Sequence, residues 1–150
     1  TDPGLVFYPS GVNSYVINAV SLTSSWSHFQ FINPNGTVGS IATSGSATAY
    51  NTSSDYRLKE NVVSMTGALD RVSQLKPSRF NFIADADKTV DGFLAHEVQD
   101  VVPEAITGEK DAVDEDGNPE YQGIDQSKLV PLLVKSIQEL EARIKILENK

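Results

Sequence analysis

Apolar positions follow three successive spacings along this 150-residue chain, and each spacing predicts a different kind of element. In the first fifty residues they come as short β-prone runs between turn signals. Leu5-Val6-Phe7-Tyr8 ends at Pro9-Ser10-Gly11, and Tyr15-Val16-Ile17 ends near Asn18. The run Trp26-Ser27-His28-Phe29-Gln30-Phe31-Ile32 reads as a period-two strand with Trp26, Phe29 and Phe31 on one face. Asn33-Pro34-Asn35-Gly36 is a turn, because Asn and Gly tolerate positive φ. Val38 to Tyr50 offers small β-formers and glycines with few large side chains. Such a segment holds too little apolar surface for a core of its own. The expectation for residues 1–53 is a thin, intertwined β stalk whose strands bury themselves against other copies of the chain. Inter-chain strand pairing of this kind folds slowly and leaves edges open to aggregation.

The middle of the chain mixes periods. Tyr56 to Met65 reads as a strand with Leu58, Val62 and Val63 as its apolar content. Ala68, Leu69, Val72 and Leu75 are helix-spaced, and Lys76-Pro77 stops that helix because the residue before proline avoids helical backbone. Arg79-Phe80-Asn81-Phe82-Ile83 alternates as a strand with Phe80 and Phe82 on one face, Ala84 to Thr89 reads as a polar loop, and Val90 to Ala95 reads as a second strand. His96 to Val102 is a helical turn or two ended by Pro103. Ala112-Val113 and Tyr121-Gln122-Gly123-Ile124 flank Asp114-Glu115-Asp116-Gly117-Asn118-Pro119, which predicts a hairpin around an acidic turn. The alternating oxygen ligands and distal bidentate acid of a calcium loop are missing there, so the turn reads as solvated.

The last regime is the most regular. Val130, Leu133, Ile137, Leu140, Ile144 and Leu147 follow alternating three- and four-residue steps, an a/d heptad seam on a helix over about 127–150. Asp125 or Ser127 can cap its start, and Pro131 fits only in its first turn. A lone helix of this length is marginal in water, so the seam predicts self-association. The competing reading is a helix packed on its own domain, and the seam alone does not fix the number of chains. The fold class expected is α+β: a thin β stalk, then a small α+β domain over 54–150 ending in a long coiled-coil helix.

Charge sharpens the border between these regimes. Before residue 54 the only charged side chain is Asp2; all twelve Lys and Arg and the other Asp and Glu follow. The net charge of −8 argues against nucleic-acid binding, which needs clustered cations. No cysteine is present, so disulfides and thiolate metal sites are excluded, and two histidines offer no metal set; no metal or cofactor is expected. No apolar run approaches the ~20 residues that span a bilayer, and Thr-Asp-Pro-Gly at the start is no signal peptide; the expectation is a soluble piece of a longer protein. A serine, an acid and a lysine stand together on the border, in Ser53-Ser54-Asp55-Tyr56-Arg57-Leu58-Lys59-Glu60-Asn61.

Four ordered blocks carry a family resemblance: Ser54 to Val62; Leu75-Lys76-Pro77 with Phe80 and Phe82; Gly92-Phe93-Leu94-Ala95-His96-Glu97-Val98-Gln99 before Val102-Pro103-Glu104; and Leu129-Val130-Pro131-Leu132-Leu133-Val134-Lys135-Ser136-Ile137-Gln138-Glu139-Leu140. Together they resemble the intramolecular chaperone domain of bacteriophage endosialidases, tailspikes, tail fibres and neck appendages. The resemblance implies a homotrimer that templates folding of the preceding β stalk, its client and substrate, and then releases itself as a single-turnover serine endopeptidase. It implies Ser54 as nucleophile, Lys59 as base, and a cut between Ser54 and Asp55. His96 matches a position where the family has His or Gln, which gives it, beside Glu97, a supporting role. The parent would be a virion tail fibre or tailspike made in the host cytoplasm, with a host-surface glycan as a candidate target. The alternative is a non-catalytic trimerisation and receptor-adhesion module.

The chemistry sets conditions on that expectation. Lysine acts as a base only when neutral, and an unperturbed value of ~10.4 leaves it charged at neutral pH. Burial disfavours the ammonium, so assembly of three chains would couple cleavage to completed folding. Residues five apart share neither a helix face nor a strand face, so Ser54 and Lys59 meet either through a bend near Tyr56 or Arg57, or across chains. Attack of the Ser54 hydroxyl on the preceding carbonyl closes a five-membered ring and would sever Ser53–Ser54. Attack on its own carbonyl would need a four-membered ring. Reaching Ser54–Asp55 therefore calls for a neighbouring chain's nucleophile, a water, or help from the Asp55 carboxylate.

Overall fold

The computed structural model describes residues 24–149, so the runs at Leu5–Tyr8 and Tyr15–Ile17 lie outside the described residues. Two compact units divide between Val62 and Val63.

In the first unit, β1 (Ser25–Asn33), β2 (Gly36–Ser44) and β3 (Ala47–Thr52) form an antiparallel meander in the order β1-β2-β3. The Asn33–Gly36 turn lies where the sequence puts it, with Gly36 at φ +93°. The aromatics do share a face, though not by simple alternation, since Trp26 and Phe29 are three apart. Trp26, Phe29 and Phe31 stand opposite Thr43, Ile41 and Gly39, and the shift between Ser27 and Phe29 is a β-bulge at His28 that turns Trp26 to the face of the other two. Tyr50 pairs with Ile41 and joins that face. None of residues 24–62 is buried, in keeping with a segment that lacks a core.

The second unit is built around six buried apolar side chains: Ala68, Val98, Val102, Ala105, Leu129 and Leu132. Val72, Leu75, Phe93, Val101, Ile106 and Ile124 pack against them. Helix α1 (Ala68–Val72) falls within the predicted helix. The hairpin of β4 (Ser78–Phe82) and β5 (Asp85–Gly92) sets Phe80 edge-on to Phe82, centroids 5.4 Å apart. The stretch read as a polar loop, Ala84 to Thr89, is thus mostly strand. Its polarity reflects its place at the outer end of the hairpin, where residues 81–89 are all exposed, and Asn81 holds the bend by donating from Nδ2 to the Ala86 carbonyl at 2.8 Å.

Helix α2 (Ala95–Gln99) supplies Val98 to the core, and Pro103 opens a 3-10 turn over Pro103–Ala105 rather than simply stopping the chain. The acidic turn forms: Asp114 Oδ1 accepts the amides of Asp116 and Asn118 at 2.9 and 2.8 Å, and Val113 bridges Pro119. Tyr121–Ile124 does not continue that hairpin, however. Its last two residues form β7 (Gly123–Ile124), paired with β6 (Ile106–Thr107), so Ile106 and Ile124 lie side by side against the core.

Helix α3 (Leu129–Glu148) follows a 3-10 turn capped by Asp125, whose Oδ1 accepts the Ser127 amide at 3.0 Å, and Pro131 sits in its first turn. Leu129, Leu132 and Ser136 are buried in the unit's own core. The seam residues Val130, Leu133, Ile137, Leu140, Ile144 and Leu147 are all exposed, from 43% at Leu140 to 66% at Leu147. At 100° per residue, the two stripes lie about a quarter-turn apart on the helix.

Candidate active site

Tyr56 to Met65 was expected to form a strand; its first residues, Tyr56–Leu58, form a capped turn instead. Ser53 is the last residue anchored to the sheet, its amide donating to the Val38 carbonyl at 3.0 Å and its hydroxyl to the Thr37 carbonyl at 2.7 Å. The chain then leaves β3, and Asp55 caps a 3-10 turn over Tyr56–Leu58. Asp55 Oδ1 accepts the Arg57 amide at 2.8 Å, which a strand could not arrange. The backbone closes the turn with Leu58 N–H to the Asp55 carbonyl (3.2 Å) and Lys59 N–H to the Tyr56 carbonyl (3.1 Å).

This reversal brings Lys59 back to Ser54. The Lys59 Nζ donates to Ser54 Oγ at 2.7 Å, within one chain. The bend lies where the five-residue spacing demanded one, and the pair needs no second chain to meet. Both residues are exposed among the described residues.

Asp55 is engaged elsewhere. Its two oxygens take Arg57 Nε and a terminal guanidinium nitrogen, each at 2.9 Å. That guanidinium, then the Arg57 amide, and more weakly the charge of Lys59 hold the Asp55 carboxyl below the usual carboxylate range.

The other candidates lie in the second unit. His96 sits in the first turn of α2, at the edge of a cleft of about 290 Å³ shared with Glu109, Asp111, Glu120 and Tyr121. Glu97 is paired with Lys76 at 3.1 Å. Two residues that sequence reasoning passed over matter more for the geometry. Arg57 was legible in principle, since an acid two residues before a basic side chain can cap and clamp a turn. Glu139 was not. From α3 it accepts the amides of Leu69 (2.9 Å) and Ala68 (3.3 Å), capping α1 in place of Gly67, which has no side chain to do so.

Residues 54–107 match the model of the family described as chaperone of endosialidase, whose label is that of a peptidase. The match covers 54 of the chain's 150 residues. The match begins at Ser54, the residue that Lys59 contacts. The chain is also 36% identical over 101 residues to the long tail fiber protein Gp37 of Enterobacteria phage K3 and to its counterpart in phage T2, with 65% of the chain aligned. The aligned stretch spans only 8% and 7% of those relatives.

Proposed function

We propose that this chain is the intramolecular chaperone of a phage tail fibre or tailspike, which trimerises, templates folding of the preceding β segment and cuts itself free once. The observation that carries this reading is the 2.7 Å contact between Lys59 Nζ and Ser54 Oγ at the first residue of the family match. The exposed seam on α3 supports assembly, and the coreless sheet of residues 25–52 supports a client that needs other copies to fold.

In this mechanism each chain carries a complete Ser54–Lys59 pair and cuts its neighbour. The neutral Lys59 amine takes the hydroxyl proton as Oγ adds to the neighbouring chain's Ser54 carbonyl carbon. Collapse expels the Asp55 nitrogen, which takes the proton from the Lys59 ammonium. Water, deprotonated by the same amine, then hydrolyses the ester and restores Ser54. Ring size favours the neighbour as substrate, because attack on the same residue's carbonyl would close a four-membered ring. Packing of three chains would strip water from Lys59, so the base is unmasked only on assembly.

Denaturing electrophoresis of freshly made protein tests the reading. Wild type yields two bands, with Asp55 the first residue of the smaller fragment by N-terminal sequencing, while Ser54→Ala and Lys59→Ala stay full length yet still assemble. A single band that persists in assembled wild type refutes self-cleavage and leaves a non-catalytic trimerisation and adhesion module. A fragment beginning at Ser54 instead shows that the five-membered ring decides the bond.

A further inference from the structure

The Ser54–Lys59 contact is held by a turn that no described residue buries. Residues 54–62 are all exposed, so no core fixes the path from Ser54 to Lys59. Two backbone hydrogen bonds across so short a turn are weak support, since forming a first turn fixes several dihedrals for few bonds. What the chain adds is one acid and one arginine. Asp55 Oδ1 accepts the Arg57 amide at 2.8 Å, fixing the start of the turn, and the Arg57 guanidinium folds back on both carboxylate oxygens at 2.9 Å.

We infer that Asp55 and Arg57 are positioning residues for the Ser54–Lys59 pair, acting as a clamp that closes the turn and ties both oxygens of the Asp55 carboxylate to Arg57. The second effect follows from charge. A free carboxylate within a few ångströms of a lysine favours the ammonium and so opposes its use as a base. Forked pairing with a guanidinium engages both oxygens of that carboxylate. Asp55 is therefore not the group that activates the nucleophile. The inference rests on the self-cleavage reading for its catalytic meaning, while the clamp itself can be tested without it.

The experiment compares Asp55→Ala, Asp55→Asn and Arg57→Ala with wild type in the full chain, following cleavage by gel. In parallel, the rate at which an N-hydroxysuccinimide ester acylates Lys59 is followed by peptide mass spectrometry on chains still uncut. Losing cap and clamp together in Asp55→Ala slows cleavage about tenfold and speeds acylation of Lys59, while Arg57→Ala, which keeps the cap, slows cleavage about threefold. Asn caps a turn as well as Asp does, so Asp55→Asn recovers most of the loss. Urea midpoints stay at the wild-type value in all three, which separates positioning from folding. Wild-type rates of cleavage and acylation in Asp55→Ala overturn the clamp while leaving self-cleavage standing. An Asp55→Asn variant as slow as Asp55→Ala overturns the capping role. Should wild type never cut, the self-cleavage reading fails, and the acylation rates alone decide whether the clamp exists.

Discussion

Leu132 and Leu133 are the same residue type, one position apart on α3, and they should fail in different ways when truncated. Leu132 is 2% exposed and belongs to a core of six buried side chains; Leu133 is 44% exposed on the seam. Leu132→Ala removes a buried side chain and leaves a cavity, at a cost of about 2–5 kcal/mol. Small domains have only about 5–15 kcal/mol in total. With a urea slope near 1–1.5 kcal/mol per molar, a loss of about 3 kcal/mol lowers the midpoint by roughly 2–3 M. That shift is the same at every protein concentration, because the packing that Leu132 provides lies within one chain.

Leu133 has a smaller own-chain share to lose, and what the described residues leave exposed is open to a partner. Full burial of a leucine is worth about 1.5–3 kcal/mol, so the exposed 44% leaves roughly 1 kcal/mol per chain for association. Across the three chains of the proposed trimer that would be about 3 kcal/mol, or more than a hundredfold in the association constant. Because that constant scales with the square of concentration, Leu133→Ala moves the half-assembly concentration up by about tenfold. Sedimentation equilibrium over a dilution series, beside urea melts at two concentrations a hundredfold apart, separates the two losses. A Leu133→Ala midpoint that falls as far as that of Leu132→Ala and ignores concentration refutes the argument. So does an unchanged assembly curve.

Three further outcomes follow from the same geometry. Mixing Ser54→Ala chains with wild type before assembly should yield cut Ser54→Ala chains, detected by a mass tag, because in the proposed mechanism each pair cuts its neighbour; strictly uncut Ser54→Ala chains in mixed trimers refute cleavage in trans. Gly39→Ala should open the β2–β3 pairing beside Ser53, since its Cβ would lie 2.7 Å from the Asn51 carbonyl oxygen, a backbone atom that cannot rotate away; hydrogen exchange at Ser53 and nearby β3 amides checks it, and wild-type protection contradicts it. Glu139 is held below its usual range by the Leu69 amide first, then by that of Ala68, with Lys135 adding charge, so its folded value lies under its unfolded one. Its contribution is therefore present above about pH 4.5 and lost as pH falls through the lowered folded value. Glu139→Gln keeps an acceptor without the charge, so urea midpoints between pH 6 and pH 3 should fall less steeply in this variant than in wild type; parallel slopes contradict the capping role.

Much of this architecture was legible because apolar spacing reports faces directly. The Asn33–Gly36 turn, the helix after Gly67, the Phe80–Phe82 strand and the seam on α3 all follow from local pattern. What the pattern misses comes from polar groups that redirect the backbone and from pairings beyond any local period. Tyr56–Met65 carries enough Leu and Val to suggest a strand, yet the Asp55 carboxylate captures the Arg57 amide and curls the chain. Ala84–Thr89 is polar enough to suggest a loop, yet Asp85 and Thr89 pair with Phe82 and Asn81 of β4 at the exposed outer end of the hairpin. Trp26 reaches the aromatic face only through a bulge, and β6 meets β7 across the whole acidic turn.

The sequence posed α3 as a choice between packing on its own domain and associating with copies, and the helix is built for the first without giving up the second. Leu129, Leu132 and Ser136 turn one stripe into the core, and Glu139 extends that stripe by one more contact, capping α1. Beyond Glu139 every described residue of the helix is exposed, while the seam runs on through Ile144 and Leu147. Two isoleucine- and leucine-bearing turns that no described residue covers are costly to leave in water, at about 25 cal/mol per Å² of apolar surface. On the proposed function, a stripe that anchors the helix and a second that outlasts the anchor would make assembly depend on a folded second unit, which is the order of events that a folding template requires.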